Sequence, residues 1–227
     1  MDTATREQAW NTEQLARPVT RPSWRIWTYR ASALVLGCSQ RALREGVVQR
    51  TAGRLPCITR EAGGGAVLTG PWLVSASVAL PPDHPWVSKG LIDSYRVLGQ
   101  LHQTALQQLG VPAHALTPQQ LPLAQQTHSV GAPKWACFGG LSHWEVVNPE
   151  GRKLVGLAQR RRRHGVLLVA GTLVGRPDWH LLCEAMACPQ DEPFLRSSTV
   201  SIAEILGGAS APESFATLLR TLLERAL

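Results

Sequence analysis

Residues 137–172 read CFGGLSHWEVVNPEGRKLVGLAQRRRRHGVLLVAGT. Two strand-like runs, EVV…KLVGLAQ and GVLLVAG, stand on either side of Arg160-Arg161-Arg162-Arg163, which the pattern predicts as the tip of a hairpin. Ahead of the runs Cys137 sits in a Gly-rich loop. Lys153 follows sixteen positions later, and then a small-residue patch, Gly156 to Ala158. A thiol that can be acylated and an ammonium that can hold an acyl carbonyl are the working parts of covalent acyl transfer.

Outward from this block, strand and helix signals alternate. A mixed helix is expected over 3–16, capped by Thr3 or Thr5, then a Pro/Arg/Ser link at 17–23 and an alternating strand over 24–29. Residues 33–37 form a short buried strand, 39–52 a helix closed near Gly53, and 55–60 a strand that ends at the loop Arg60-Glu61-Ala62-Gly63-Gly64-Gly65-Ala66-Val67. Residues 67–80, broken at Gly70-Pro71, read as a strand pair or one long bent strand. Helical spacing over 89–109 predicts the longest helix. Four prolines and two glutamine pairs in 111–136 predict a strand and then a long loop before the cysteine. Short helices are expected over 179–186 and 202–206, and a closing helix over 212–227. The fold class is therefore α/β (α+β), one domain over 1–227 with mixed β-sheets flanked by helices.

Composition sets the outer limits. The 227 residues are 44% apolar and 17% charged, as in folded proteins, and no apolar run is long enough for a membrane span. Residues 1–18 lack the apolar centre of a signal peptide, so a cytoplasmic protein with no membrane partner is expected. Cys38, Cys57, Cys137, Cys183 and Cys188 are odd in number and lack metal-ligand spacing, so free thiols and no metal are expected. The net charge of +7 suits an acidic partner. Nucleic acid is disfavoured, because no nucleic-acid module surrounds the arginine run, and a solvated turn explains that run better.

Several blocks, in order, resemble the lipoate/octanoate protein ligase and transferase family, which shares an α/β fold with the biotin ligases. They are Ala33 to Gln40, a strand ending in Gly-x-x-Gln; Arg60 with Gly63 to Val67; Tyr95-Arg96; and, most densely, Cys137-Phe138, Trp144 to Val147, Gly151-Arg152-Lys153 and Gly156-x-Ala158-Gln159-x-Arg161. Within the family the similarity is greatest to the cysteine-dependent octanoyl-[acyl carrier protein]:protein octanoyltransferases. The resemblance implies that Cys137 is acylated and that Lys153 orients the acyl carbonyl. It further implies that Arg60, Gly63, Gly64, Gly65, Ala66, Val67, Gly156, Ala158, Gln159, Gly171 and Thr172 surround the acyl group. Acyl carrier protein as donor and a lipoyl domain as recipient, such as glycine cleavage H protein or a 2-oxoacid dehydrogenase E2, are the implied partners, with no cofactor.

The chain departs from the family pattern at two places. Thr69 stands where a histidine commonly follows the glycine loop, and Ala170 where the family has His-Gly-Ser/Thr. The strand that usually precedes the family's first helix and an accessory C-terminal domain are both expected to be missing. Two alternatives stay open: an ATP- and Mg-dependent lipoate–protein ligase that uses an acyl-adenylate, and a non-catalytic paralogue that binds acyl groups or carrier protein. A biotin ligase ranks below both, because its basic glycine-rich loop is not found. Trp72 or Trp135 is a candidate wall of an acyl tunnel, and His128 or His143 a candidate base.

Overall fold

The run Leu73–Leu80, LVSASVAL, is buried at all of its positions. Side chains on a strand alternate between faces, so such a run needs cover on both sides. In the computed structural model, which describes residues 2–208 and 212–227, it lies second from one edge of a six-stranded sheet. The strands are β1 (Ser23–Thr28), β2 (Ala33–Leu36), β3 (Cys57–Thr59), β4 (Val67–Thr69), β5 (Leu73–Leu80), β6 (His114–Ala115), β7 (Val146–Val147), β8 (Lys153–Arg162) and β9 (Gly165–Leu173). The large sheet is antiparallel throughout, in the order β1-β5-β9-β8-β7-β6. A small mixed sheet has the order β3-β2-β4, with β2 parallel to β3 and antiparallel to β4.

The helices are α1 (Thr3–Gln14), α2 (Arg44–Arg50), α3 (Arg96–Gln108), α4 (Leu121–His128), α5 (Trp179–Ala185), α6 (Glu192–Ser198), α7 (Ile202–Leu206) and α8 (Pro212–Ala226). α3 and α8 pack on each other and cover one face of the large sheet, burying Val74, Ala76, Val78, Leu80, Val166, Leu168 and Ala170 with Leu98, Leu106, Phe215 and Leu219. The other face carries Leu73, Ala79, Leu167 and Leu173. It packs in a separate core with Trp10 and Leu15 beside α1 and with Leu34 and Leu36 of the small sheet. The space between that face, the small sheet and α1 holds the site described below.

The expected sheets flanked by helices are present, the small one mixed and the large one antiparallel. Several local expectations differ, each for a physical reason. Asp2, not Thr3 or Thr5, caps α1, its carboxylate accepting from the Thr5 amide at 2.9 Å. The helix expected over 89–109 begins only at Arg96. Ser94 Oγ donates to the carbonyls of Gly90 and Leu91, which competes with helical bonding, and Gly90 takes φ 114. The 15 residues of α8 therefore exceed the 13 of α3.

Residues 121–128 of the expected loop are helical. The Pro122 that argued against a helix lies in the first turn, where no amide is needed. α6, which was not expected from the sequence, likewise has a proline, Pro193, in its first turn. The 67–80 run is two strands in different sheets, not a pair. Arg160 to Arg162 lie in β8, paired with Leu167, Val166 and Gly165, so the hairpin tip is only Arg163-His164. Among the described residues no helix is long and apolar enough to cross a membrane.

Candidate functional site

Gly156 on β8 pairs with Gly171 on β9, which pairs with Ser75 on β5. Two adjacent glycines leave a slot in the sheet face where side chains would otherwise stand. A Cβ at Gly156 would lie 3.6 Å from Cys137 Sγ, 3.5 Å from Lys153 Cε and 3.6 Å from Phe138 Cζ, so the missing methyl marks where thiol, lysine stem and aromatic ring converge. The slot opens into a narrow cavity of about 50 Å³ whose walls include Val35, Val67, Leu73, Phe138, Ala158, Leu167 and Val169. Arg60, Cys137 and Gly171 line it too, as do Glu7, Gln8 and Asn11 from α1.

The thiol is held by its backbone. Cys137 N–H donates to Ala66 O at 2.8 Å, and Ala66 N–H to Trp135 O at 2.7 Å, a short parallel bridge between the glycine loop and the cysteine loop. The glycines serve this approach. A Cβ at Gly65 would lie 2.4 Å from Trp135 O, and one at Gly37 would lie 1.8 Å from Gly64 O. The Arg60 guanidinium is 7% exposed and fastens the loop, donating to Gly63 O and to Gly65 O. It does not pair with Glu61, whose carboxylate meets Arg162 at 3.2 Å.

Lys153 is 2% exposed, and its ammonium is saturated. Nζ donates to Cys137 O at 2.9 Å and to Gly140 O at 2.8 Å, and it meets Glu145 Oε2 at 2.7 Å. Three partners use its three N–H donors. Glu145 is saturated in turn, accepting from Ser142 N–H and Leu157 N–H. Just before it, Trp144 takes φ 66, a left-handed conformation costly for a bulky residue, and Glu145 follows it, buried against Lys153. The pair ties the cysteine loop to β8.

Of the sequence-predicted site residues, Cys137, Arg60, Val67, Gly156, Ala158 and Gly171 line the cavity; Lys153 is not one of its walls, but its stem reaches the same Gly156 position as the thiol. Gly63, Gly64, Gly65 and Ala66 are not among its walls; Gly65 and Ala66 meet the cysteine loop, and Gly63 and Gly65 accept from Arg60. Gln159 turns away and bonds Leu91 O at 2.9 Å, and Thr172 Oγ1 is buried without a partner, outside the cavity. Thr69 lines the cavity, but its hydroxyl is committed to Ala33 O at 3.0 Å. Neither tryptophan candidate is a wall: Trp72 Nε1 bonds Leu68 O, and Trp135 Nε1 bonds Asp191. His128 rests against Gly151, and no histidine lines the cavity among the described residues.

Glu7 and Asn11 were missed in the sequence. A polar residue on a mixed helix gives no sign of facing inward until the fold is known. Tyr29 O–H lies 2.7 Å from Glu7 Oε2 and 2.7 Å from Ser75 Oγ, and burial pushes the Glu7 carboxyl up to about 7. Burial also pushes the thiols of Cys57 and Cys188 upward and that of Cys183 up to about 12, as expected of packing residues. Among the described residues no group of three His, Cys, Asp or Glu could hold a metal ion.

Comparison with known proteins adds lineage to this geometry. A family model described as the lipoyl protein ligase A/B catalytic domain matches residues 4–223. An octanoyltransferase LipM from an Exiguobacterium species is 31% identical over 183 residues, 78% of this chain and 63% of that protein. The Kyrpidia tusciae protein of the same name is 31% identical over 171 residues, 75% and 60% of the two chains. The chain thus spans about three fifths of the length of the curated relatives it matches. A solved lipoate-protein ligase A bound with ATP superposes with a TM-score of 0.68 at 17% identity, covering 97% of this chain and 80% of that one. A bipartite lipoate protein ligase from Thermoplasma acidophilum gives 0.67 at 16% identity, covering 99% and 80%. At these identities the superpositions speak for the fold.

Proposed function

The chain belongs to the lipoyl protein ligase A/B catalytic domain family, and from that premise we propose that it is a cysteine-dependent acyltransferase that moves a medium-length acyl group of the octanoyl class onto a protein lysine. The observation that carries the reading is the convergence of the Cys137 thiol, the Lys153 stem and the Gly156–Gly171 slot at the mouth of an apolar cavity. By the measure in which one water needs roughly 10–15 Å³, the cavity of about 50 Å³ suits a thread of methylenes better than a bulky ring.

The chemistry is two acyl exchanges. In the first, the Cys137 sulfur bonds the acyl carbon of an acyl carrier protein thioester, the carrier's C–S bond breaks, and the proton of Cys137 leaves with the carrier thiol. In the second, a lipoyl-domain lysine amine bonds the same carbon, the Cys137 C–S bond breaks, and an amine proton returns to the thiol. Lys153 has no spare donor. Contact between its ammonium and the acyl oxygen therefore requires exchange of one present partner, and the carbonyls of Cys137 and Gly140 are the neutral ones. The remaining charge stays with Glu145.

Intact-mass measurement after incubation with octanoyl-acyl carrier protein tests the proposal. One octanoyl adduct is expected on the native chain and none on Cys137→Ser. An adduct of equal extent on Cys137→Ser would refute it. No adduct on either, together with lipoate-dependent release of pyrophosphate from ATP, would establish the ligase reading instead.

A further inference from the structure

The apolar cavity has a polar end. Glu7 and Asn11 enter it from one face of α1, four residues apart as helix geometry allows. Both are 3% exposed. Glu7 is anchored to Ser75 through the Tyr29 hydroxyl, whereas Asn11 Oδ1 is buried with no hydrogen-bond partner. A buried polar atom left unpaired costs about 1–3 kcal/mol, which a structural role would not retain when a leucine could fill the place.

Its position fixes what could satisfy it. Ser75 lies two strand spacings from Gly156 across the Ser75–Gly171–Gly156 row, roughly 10 Å at about 4.8 Å per strand. Cys137 Sγ stands over Gly156, and Glu7 stands beside Ser75 through Tyr29, with Asn11 about one helical turn further along α1. With C–C bonds of about 1.5 Å that each advance about 1.3 Å along an extended zigzag, a chain of about eight carbons bound at the thiol spans about 10 Å and ends near α1.

We propose that Asn11 and Glu7 form a polar subsite at the far end of the cavity that selects medium-length acyl groups carrying a terminal hydroxyl over plain alkyl acyl groups. The subsite deepens the transferase reading and rests on its placing of the acyl chain in this cavity. An amide presents both a donor and an acceptor, so Asn11 can receive the hydroxyl proton while Glu7 or the Asn11 amide N–H meets the hydroxyl oxygen. A plain methyl at the same place leaves Asn11 unpaired. Sites that hydrogen-bond a substrate hydroxyl reject the analogue lacking it far more strongly than apolar pockets reject an added one.

Two measurements separate this inference from the reading beneath it. Calorimetry on Cys137→Ser compares 8-hydroxyoctanoate with octanoate as free acids, and intact-mass kinetics on the native chain compare their acyl carrier protein thioesters. At least ten-fold tighter binding of the hydroxy acid is expected. Asn11→Leu should reverse the preference, and the isosteric Asn11→Asp, which spares packing, should change it. Preference in calorimetry without any acyl-enzyme would sustain the subsite and sink the transferase. Acylation with equal or better use of octanoyl, unmoved by Asn11→Leu, would overturn the subsite and leave the transferase standing. Failure of both acids to bind Cys137→Ser would also overturn the subsite.

Discussion

Two buried titrating groups, on opposite faces of the large sheet, should pull the pH dependence of stability in opposite directions. Burial pushes the Glu7 carboxyl from 4.5 up to about 7, against the smaller opposing influences of the Tyr29 hydroxyl, Arg60 and Gln8. Burial pushes His102 on α3 from 6.5 down to about 4, against its bond to Leu98 O, and its Nε2 has no partner beside Phe215. At 1.36 kcal/mol per pH unit, each displacement corresponds to about 3 kcal/mol. The signs differ. Glu7 folds in as the neutral acid, so its contribution is full below 4.5 and is lost as pH rises through about 7. His102 folds in as the neutral imidazole, so its contribution is full above 6.5 and is lost as pH falls through about 4.

Where the windows overlap, about pH 5 to 6.5, the two slopes approach +1.4 and −1.4 kcal/mol per pH unit and nearly cancel. Relative to the native chain, Glu7→Gln should make stability rise with pH by about 1 kcal/mol per unit across that window. His102→Gln should make it fall by a similar amount. Urea unfolding followed by tryptophan fluorescence at half-unit steps of pH reads both slopes. Other titrating groups are common to all three proteins and drop out of the differences. If Glu7→Gln left the slope unchanged, Glu7 would be ionised in the folded state, and the polar end of the cavity would hold a charge instead of a neutral carboxyl.

The saturated ion pair and the glycine loop give two further expectations. Lys153→Met strands Glu145 at 4% exposure and removes two carbonyl contacts from the cysteine loop, so a loss of about 3–5 kcal/mol is expected, partly recovered by adding Glu145→Gln; a loss below about 1 kcal/mol in urea unfolding would contradict the clamp. Gly65→Val drives a Cβ to 2.4 Å from Trp135 O and should cost about 1–3 kcal/mol and slow acylation of Cys137, whereas Gly63→Ala meets nothing within 4 Å and should stay within about 0.5 kcal/mol of the native chain; equal effects at the two glycines would refute the close-approach argument.

The large sheet was legible because its signal is local. The run of apolar and small residues at 73–80 and the paired runs around Arg160 to Arg163 announce buried strands without reference to anything distant. The errors fell where one residue type serves two purposes. A proline such as Pro122 breaks a helix interior but suits a first turn, and which applies depends on the turn before it. Ser94 shortens α3 through its bonds to Gly90 and Leu91, a choice between helix and turn that spacing alone does not reveal. The break at Gly70-Pro71 marked an interruption in the chain, but it could not say that the two sides would join different sheets.

The site divides along the same line. Cys137, Lys153, Gly156 and the glycine loop lie in short motifs whose residue types suit acyl chemistry, and those motifs could be read in order. What motifs do not encode is which donors remain free after folding. Lys153 reads as an available ammonium, yet Glu145 and two carbonyls take all of its protons. Thr69 reads as a lost base, and in the fold its hydroxyl serves Ala33. Conversely, Glu7 and Asn11 carry no motif at all, because their chemistry comes from burial, and burial depends on α1 lying over Ser75 and Gly171 from far along the chain. The end of the cavity nearest the thiol was therefore readable from local sequence. The end that would decide which acyl group is accepted arises only from the packing of α1 on the sheet.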